Sequence, residues 1–201
     1  MKRFALIAAL LAMVMAAGAS FAKEKPVVVM ETSEGKISIE LYPDKAPLTV
    51  QNFLWYVNHK FYDGLVFHRV IKGFMIQGGG FNPDMTKKAG NPAIDNEAGN
   101  GLTNDKYTIA MARTNAVNSA TSQFFINTKD NTFLNHRDNS ARGFGYCVFG
   151  KVVKGQDTVD AIEGVPTASK AGYQNVPRTP VVITKCYVLG KKAAKLKKSG
   201  K

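Results

Sequence analysis

Short strand-like runs recur along most of this chain, whereas only two stretches show helical periodicity. The first two runs, Val27 to Thr32 and Lys36 to Leu41, are separated by a polar Ser-Glu-Gly turn, and this pattern predicts a β-hairpin. Strands and helices do not alternate in the regular way that builds a parallel sheet. The sequence therefore predicts an antiparallel sheet, which must close on itself or be covered so that its edges are protected.

Glycine and polar residues separate the remaining predicted elements from one another. A helix is predicted with Asp44 as its N-cap and Pro47 in its first turn, because apolar residues then recur at helical spacing. A second, shorter helix is predicted over Asp157 to Glu163, and residues 82–106 are predicted to form an extended surface loop. The sequence predicts six further strands: Val66 to Ile71, Met75 to Gln77, Tyr107 to Ala112, Ser122 to Asn127, Tyr146 to Val153 and Val181 to Leu189.

Length and composition indicate one globular domain. The chain has 201 residues, of which 45% are hydrophobic and 21% charged, and both fractions are ordinary for folded soluble proteins. Residues 1–22 are expected to be a cleaved signal peptide, because a short basic end is followed by an uncharged apolar run and a small-residue cleavage site. An uncleaved anchor is the alternative, although the run is shorter than the roughly 20 apolar residues that span a bilayer. The domain, residues 23–190, is expected to be exported without membrane insertion after cleavage.

The formal charge of +12 is concentrated at the two ends of the chain. Lys2 and Arg3 belong to the predicted signal peptide, and six lysines lie in residues 191–201. Removing these eight charges from +12 leaves +4, so the domain is only mildly basic. The Lys-rich tail has little apolar surface to bury and is predicted to be disordered, with loose attraction to anionic surfaces left open as its role. No specific nucleic-acid binding is expected, because no aromatic residues alternate with these lysines.

No motif for a metal, a nucleotide or a covalent nucleophile can be assembled from the sequence. The three histidines lack ligand-like spacing, so no metal site and no cofactor are expected. The glycine triplet at 78–80 lacks the Lys-Ser/Thr pair of a phosphate loop, and no Gly-x-Ser-x-Gly motif is present. Cys147 and Cys186 are predicted to be buried free thiols, although an oxidising compartment would also permit a disulfide between them. These observations argue against hydrolytic and redox chemistry.

One stretch, residues 67–80, combines the groups that suit a site for an uncharged ligand. Arg69 is a permanent cation a few residues before the apolar pair Phe74 and Met75 and the neutral amide of Gln77. No nucleophile and no pair of carboxylates accompanies them. This combination favours a site that holds an apolar, uncharged group and polarises it without covalent chemistry.

Three linked motifs resemble those of the cyclophilins, which are peptidyl-prolyl cis-trans isomerases: Phe-His-Arg-Val-Ile at 67–71, Gly-Phe-Met-Ile-Gln-Gly-Gly at 73–79 and Ser-Gln-Phe-Phe-Ile at 122–126. The resemblance extends from Val27 to about Leu189. Three further segments are closer to the exported bacterial branch of the family than to the eukaryotic one: 109–114, 119–123 and 150–155. This agrees with the predicted signal peptide and implies a periplasmic location.

The resemblance implies a mainly β fold, a closed eight-stranded antiparallel β-barrel capped by two α-helices. Its substrate groove would lie on the outer face, because side chains fill the barrel. The implied activity is rotation about X-Pro bonds in unfolded or flexible proline-containing polypeptides, which would assist the folding of exported proteins, and a monomer is expected. Arg69 and Gln77 are the implied catalytic residues. The implied substrate-binding residues are Phe74, Met75, Ala112, Arg113, Gln123, Phe125, Phe133, Leu134 and Tyr146.

Several positions depart from the common pattern of the family. Phe133 lies where many members have tryptophan, so weak binding of cyclosporin-type macrocycles is expected because the indole N–H is missing. Arg113 lies where many members have asparagine, and its charge is expected to favour acidic residues beside the proline. Tyr146 lies where some members have histidine, and the loop 135–142 is longer than in compact members. A proline-peptide binding domain or holdase chaperone with little turnover is the alternative function, and the presence of Arg69 with its pocket argues against it.

Overall fold

The computed structural model describes residues 25–190, and the predicted signal peptide and Lys-rich tail lie outside the described residues. The described part contains two α-helices, α1 (Pro47–Asn58) and α2 (Gln156–Glu163), and no helix in it is long and apolar enough to cross a membrane. It also contains ten β-strands: β1 (Val27–Thr32), β2 (Gly35–Leu41), β3 (Phe67–Ile71), β4 (Met75–Gly78), β5 (Thr108–Met111), β6 (Phe124–Asn127), β7 (Val148–Lys154), β8 (Thr167–Lys170), β9 (Tyr173–Pro177) and β10 (Ile183–Val188).

Eight of the strands form one antiparallel sheet, in the order β10-β1-β2-β7-β5-β6-β4-β3. The sheet curls until the beginnings of its two edge strands, β3 and β10, meet. The Gly64 N–H donates a 2.8 Å hydrogen bond to the Ile183 carbonyl, and the Ile183 N–H donates one of 2.8 Å to the Leu65 carbonyl. The Phe67 N–H donates to the Val181 carbonyl at 3.0 Å. The prediction of an eight-stranded antiparallel barrel with two helices is confirmed, and this short contact closes it.

Aromatic rings fill the interior of the barrel. Phe53 of α1 is fully buried, and its ring centroid lies 5.3 Å from that of Tyr62, 5.7 Å from that of Phe124 and 5.1 Å from that of Phe149. The helix α2 buries Val159 against the same core. Because side chains occupy the interior, a polypeptide ligand can bind only on the outer face of the sheet.

The strands β4 and β6 are apolar on both of their faces. Ile76 and Phe124 point into the interior core, whereas Met75 and Phe125 belong to a second apolar cluster on the outer face. All four residues of β6 are buried. A continuous apolar run in an antiparallel sheet therefore marks the place where something covers, or can cover, the outer face.

The beginning of α1 differs from the prediction. The N-cap residue is Ala46, which forms no side-chain cap, so Asp44 does not cap the helix. Instead, the carboxylate of Glu97 in the long loop before β5 accepts hydrogen bonds from the N–H groups of Leu48 (3.1 Å) and Thr49 (2.8 Å). The Thr49 hydroxyl donates to the same carboxylate at 2.7 Å. Because Glu97 is 48 residues from Thr49 along the chain, the local sequence could not reveal this cap.

The hairpin of β8 and β9 was not predicted. Its turn places Ala171 at a φ of +51° and Gly172 at +82°, two consecutive left-handed residues of the kind that tight hairpin turns require. Most residues of the two strands are exposed, so no apolar alternation indicates them in the sequence. The hairpin lies beside β3, where the Tyr173 ring centroid is 5.0 Å from that of Phe81.

Both cysteines are buried free thiols, as predicted. The Cys147 sulfur lies 3.4 Å from the Thr49 hydroxyl oxygen. Burial raises the pKa of Cys147 to about 12 and also raises the pKa of Cys186, so both thiols are protonated at neutral pH.

Candidate active site

The register of four neighbouring strands brings predicted site residues into one row. Arg69 of β3 is paired with Gln77 of β4, Gln77 with Phe125 of β6, and Phe125 with Ala110 of β5. Side chains of directly paired residues point to the same face of a sheet. Met75 lies two residues before Gln77 and therefore shares that face. The row lies on the outside of the barrel.

A β-bulge in β3 aims the side chain of Arg69. The pairing steps from Phe67 with Gly78 directly to Arg69 with Gln77, so β3 has one more residue than β4 at this point. The additional residue is His68. Bulges bend a strand and redirect its side chains, and they are common beside functional sites.

The guanidinium of Arg69 begins a short chain of hydrogen bonds. Its Nη1 donates to Oε1 of Gln77 at 3.2 Å, and Nε2 of Gln77 donates to Oε1 of Gln123 at 3.1 Å. Within residues 25–190, the Arg69 side chain has no other hydrogen bond and no ion pair with a carboxylate. It is half-buried, and its remaining N–H donors are therefore available to a ligand.

The row opens onto a cavity of about 100 Å³ with an apolar floor. The side chains of Met75 and Phe125 form part of this floor and are only 1% and 4% exposed. Nine of the eleven predicted site residues line the cavity: Arg69, Phe74, Met75, Gln77, Ala112, Arg113, Phe125, Leu134 and Tyr146. No carboxylate of the described residues is among its lining groups.

The other two predicted site residues, Gln123 and Phe133, do not line this cavity but contact residues that do. Gln123 packs against the backbone at Gly80, where a Cβ would lie 2.5 Å from its side chain. Glycine has no Cβ, and this permits such a close approach to the backbone. Phe133 is 66% exposed, and its ring stacks on that of Phe74 at a centroid distance of 5.6 Å. It forms an exposed apolar rim.

Hydrogen bonds hold the turn that carries Phe74. Its carbonyl accepts bonds from Nδ2 of Asn131 at 2.8 Å and from the N–H of Thr128 at 3.1 Å. The preceding N–H, that of Gly73, donates to the carboxylate of Glu163 at the end of α2 at 2.6 Å. The position of the Phe74 ring thus depends on residues that the sequence motifs do not include.

The side chain of Arg113 is bound to nearby backbone. Its Nε donates to the Gly145 carbonyl at 2.9 Å and its Nη2 to the Ala141 carbonyl, in the loop 135–142, at 3.3 Å. Its Nη1 donates to the Thr114 carbonyl at 3.0 Å. The guanidinium carbon lies 4.8 Å from the ring centroid of Tyr146, within cation–π range. Arg113 therefore contributes its charge to the groove, while most of its N–H donors are already used.

His68 is a buried neutral group beside the site. Burial lowers the pKa of His68 to about 4, so its imidazole is neutral at pH 7. Its ring centroid lies 4.4 Å from that of Phe81. Among the described residues, no group of three or more histidine, cysteine, aspartate or glutamate side chains could hold a metal ion.

This geometry can bind a small apolar ring and polarise the bond beside it. Phe125, Met75 and their neighbours supply the apolar surface, and Arg69 supplies a fixed positive charge with free donors at its edge. None of the described residues that line the cavity is a serine, threonine, cysteine, lysine, histidine or acid, so none of them is a typical nucleophile for a covalent step. Any acceleration must therefore come from hydrogen bonds and electrostatics that favour a distorted ligand.

Comparison with known proteins finds relatives that match most of the chain. The profile of the family described as "Cyclophilin type peptidyl-prolyl cis-trans isomerase/CLD" matches residues 27–188. The peptidyl-prolyl cis-trans isomerase cyp18 of Streptomyces antibioticus is 59% identical over 163 residues, which cover 81% of this chain and 98% of that protein. The peptidyl-prolyl cis-trans isomerase B of Escherichia coli strain K12 is 54% identical over 157 residues, or 78% of this chain and 96% of that protein.

A solved structure agrees with these matches in fold. The crystal structure of a cyclophilin type peptidyl-prolyl cis-trans isomerase of Cryptosporidium parvum, determined in the presence of the dipeptide Ala-Pro, aligns with a TM-score of 0.69 and 29% sequence identity. The alignment covers 82% of this chain and 99% of that one. With the profile match over 27–188 and the close bacterial relatives, it follows that the chain belongs to the cyclophilin-type peptidyl-prolyl cis-trans isomerases.

Proposed function

We propose that this isomerase acts on X-Pro bonds of unfolded or flexible polypeptides in the outer cavity, with Arg69 and Gln77 as its catalytic residues. The observation that supports these roles most directly is the row of paired residues Arg69, Gln77 and Phe125. It places an arginine with free donors beside an apolar pocket on adjacent strands. We further propose that the protein assists the folding of exported proteins.

The reaction requires no bond to the protein. Rotation about a peptide bond crosses a barrier of about 18 to 20 kcal/mol, because the planar amide is stabilised by resonance. For X-Pro bonds the uncatalysed exchange takes on the order of tens to hundreds of seconds. An enzyme accelerates it by binding the twisted amide more tightly than either planar isomer.

Arg69 is suited to stabilise the twisted amide. As the C–N bond rotates, the prolyl nitrogen regains a lone pair that was delocalised in the planar amide. The guanidinium of Arg69 is always charged and can donate a hydrogen bond to that lone pair, which weakens the remaining conjugation. The hydrogen bond from Arg69 Nη1 to Gln77 holds one edge of the guanidinium in place and leaves its other N–H donors available to the substrate.

The apolar floor keeps one side of the bond fixed while the other side rotates. Phe74, Met75, Phe125 and Leu134 line the cavity in which the pyrrolidine ring would rest. Gln77 and the backbone near Ala112 would hold the flanking peptide by hydrogen bonds. The buried partners of the Phe74 carbonyl keep this pocket preformed, so little binding energy is lost in ordering it.

The catalytic role of Arg69 is tested with a short Ala-Pro-containing peptide and the protein from Lys23 to Lys201. The cis-to-trans rate is measured for the wild type, for Arg69→Ala and for Arg178→Ala, an exposed arginine outside the cavity that serves as a matched control. We expect kcat/KM to fall at least about tenfold in Arg69→Ala, the equivalent of about 1.4 kcal/mol in transition-state binding. Arg178→Ala should retain the wild-type rate, and circular dichroism should show both variants folded.

Other outcomes of this assay have clear meanings. If folded Arg69→Ala is as fast as the wild type, Arg69 is not the catalytic group. If the folded wild type does not accelerate exchange but binds the peptide, this chain is a proline-peptide binding domain or chaperone instead.

Export to the periplasm is the second part of the proposal. The basic end, the apolar run and the small-residue cleavage site within residues 1–22 support it. The test is to express the full chain in a Gram-negative host and to sequence the N-terminus of the protein from the periplasmic fraction. A mature form beginning near Lys23 is expected, and an intact form retained in the cytoplasm would contradict the proposal.

A further inference from the structure

A second cavity adjoins the one that would hold the proline. It has a volume of about 420 Å³ and lies between β3, the loop around Phe81 and the β8–β9 hairpin. Arg69, Gln77 and Arg113 line both cavities. A peptide whose proline occupies the first cavity therefore brings a neighbouring residue to the second.

Among the described residues, every charged side chain that lines the second cavity is positive. Arg69, Lys87 and Arg113 contribute cations, and no carboxylate from residues 25–190 lines it. The acid in the same loop, Asp84, is already engaged, because it accepts hydrogen bonds from the N–H (2.9 Å) and hydroxyl (2.6 Å) of Thr86. The potential in the cavity therefore favours an anionic group.

Lys87 is the cation with the greatest freedom to bind a ligand. Its side chain is exposed, and its ammonium has no hydrogen bond and no ion pair in the part of the chain that the structure describes. The adjacent Lys88, in contrast, donates to the Phe61 carbonyl at 2.7 Å. Arg113 already donates most of its N–H groups to backbone carbonyls. It therefore adds positive charge to the cavity but has fewer free donors for a ligand than Lys87.

The walls of this cavity suit the stem of a long side chain. Tyr173 and Phe81 pack edge to face at a centroid distance of 5.0 Å, and Tyr173 is 44% exposed. The amides of Gln123 and Gln174 supply neutral donors. A glutamate fits this combination, because its methylene groups can pack against the rings while its carboxylate reaches Lys87.

We propose that the second cavity is a subsite for an acidic residue close to the substrate's proline, and that Lys87 is its specificity-determining residue. The proposal rests on the proposed function, because it takes the proline to occupy the first cavity. Lys87 adds to the charge of Arg113, which the sequence alone indicated as the source of such a preference. Lys87 lies outside the motifs that identify the family.

The test compares peptides that differ only by glutamate or glutamine at one position. Glutamate is placed in turn at each of the two positions before the proline and each of the two positions after it. For each position, kcat/KM is measured for the glutamate peptide and for its glutamine counterpart. At one position we expect kcat/KM of the glutamate peptide to exceed that of the glutamine peptide at least about threefold at low salt. This ratio should fall towards unity at high salt, because exposed charges are screened. Calorimetric binding of the same peptides provides a second readout.

Two variants that each remove one exposed lysine charge locate the effect. In Lys87→Gln the ratio should fall to near unity, whereas Lys151→Gln, on β7 and outside both cavities, should keep it. A ratio near unity at every position in the wild type, or a ratio that survives Lys87→Gln, would overturn the proposal. Absence of turnover with every peptide would instead contradict the proposed function, and the calorimetric comparison would still decide whether glutamate is preferred.

Discussion

Replacing Glu97 should destabilise the fold although it lies in a loop and has no role in the chemistry. The helix α1 has no side-chain N-cap of its own and no acidic residue in its first turn. The carboxylate of Glu97 accepts hydrogen bonds from two backbone N–H groups and one hydroxyl at the start of this helix, where Leu48 is exposed and Thr49 is buried. Without this carboxylate, the two N–H groups and the hydroxyl would have to be hydrogen-bonded by water at a half-buried site.

The magnitude follows from these three hydrogen bonds. Loss of an N-cap costs about 0.5 to 2 kcal/mol, and loss of a negative charge at a helix N-terminus costs about 0.3 to 1 kcal/mol. When the lost hydrogen bond from the Thr49 hydroxyl is included, Glu97→Ala should lower the free energy of unfolding by about 2 to 3 kcal/mol. Glu97→Gln keeps one acceptor and loses the charge, so about half of that loss is expected. For a domain of this size the alanine variant should melt roughly 5 to 10 °C lower.

Urea unfolding followed by circular dichroism measures this loss, and Asp44→Ala is the matched control. Asp44 is the acid that the local sequence predicts as the cap, yet it is exposed and makes no cap in the structure. Its replacement should change stability by no more than about 0.5 kcal/mol. The reasoning would be refuted if Asp44→Ala were the more harmful change, or if both variants were equally mild.

Three further outcomes are expected. Burial lowers the pKa of His68 to about 4 in the native protein. As pH falls from about 6.5 to 4, His68 therefore binds a proton in the unfolded chain but not in the native one. This should remove about 3 kcal/mol of stability, and His68→Gln should flatten that part of the pH profile in urea titrations. Wild-type protein should bind a cyclosporin-type macrocycle weakly, with Phe133→Trp about tenfold tighter through one restored N–H donor; nanomolar inhibition of the wild type would contradict this. Cys147 and Cys186, both buried, should react with a thiol reagent only as the protein unfolds, so rapid labelling of native protein at pH 8 would be inconsistent with the structure.

Most of the barrel could be predicted because its signals are local. Alternating residues in β2 and glycine-bounded runs mark individual strands, and helical spacing of apolar residues marks α1 and α2. The closure of the sheet is different. It depends on contacts between Gly64 and Ile183, which are far apart in sequence. Closure could therefore be predicted only from the need to protect strand edges and from the resemblance.

The candidate site could be predicted in part, where its residues belong to continuous motifs. Nine of the eleven predicted residues line one cavity, and five of these nine lie within the three motifs that carry the resemblance: Arg69, Phe74, Met75, Gln77 and Phe125. The second cavity was missed because Lys87 and Tyr173 lie in segments with no apolar periodicity, and only the packing of the hairpin beside β3 brings them together. The orientation of Arg113 was also beyond the sequence, since its partners are backbone carbonyls of a distant loop.

The strand order has a consequence for how this chain is made. The first strand, β1, pairs on one side with its neighbour β2 and on the other with β10, where Val28 lies opposite Val188. During synthesis, which proceeds from the N-terminus, one edge of β1 has no partner until almost the whole chain has emerged. Such long-range pairing slows folding and leaves strand edges open to other chains in the meantime. Completion of this barrel therefore waits for its last strand, and a chain truncated before β10 should expose an aggregation-prone edge.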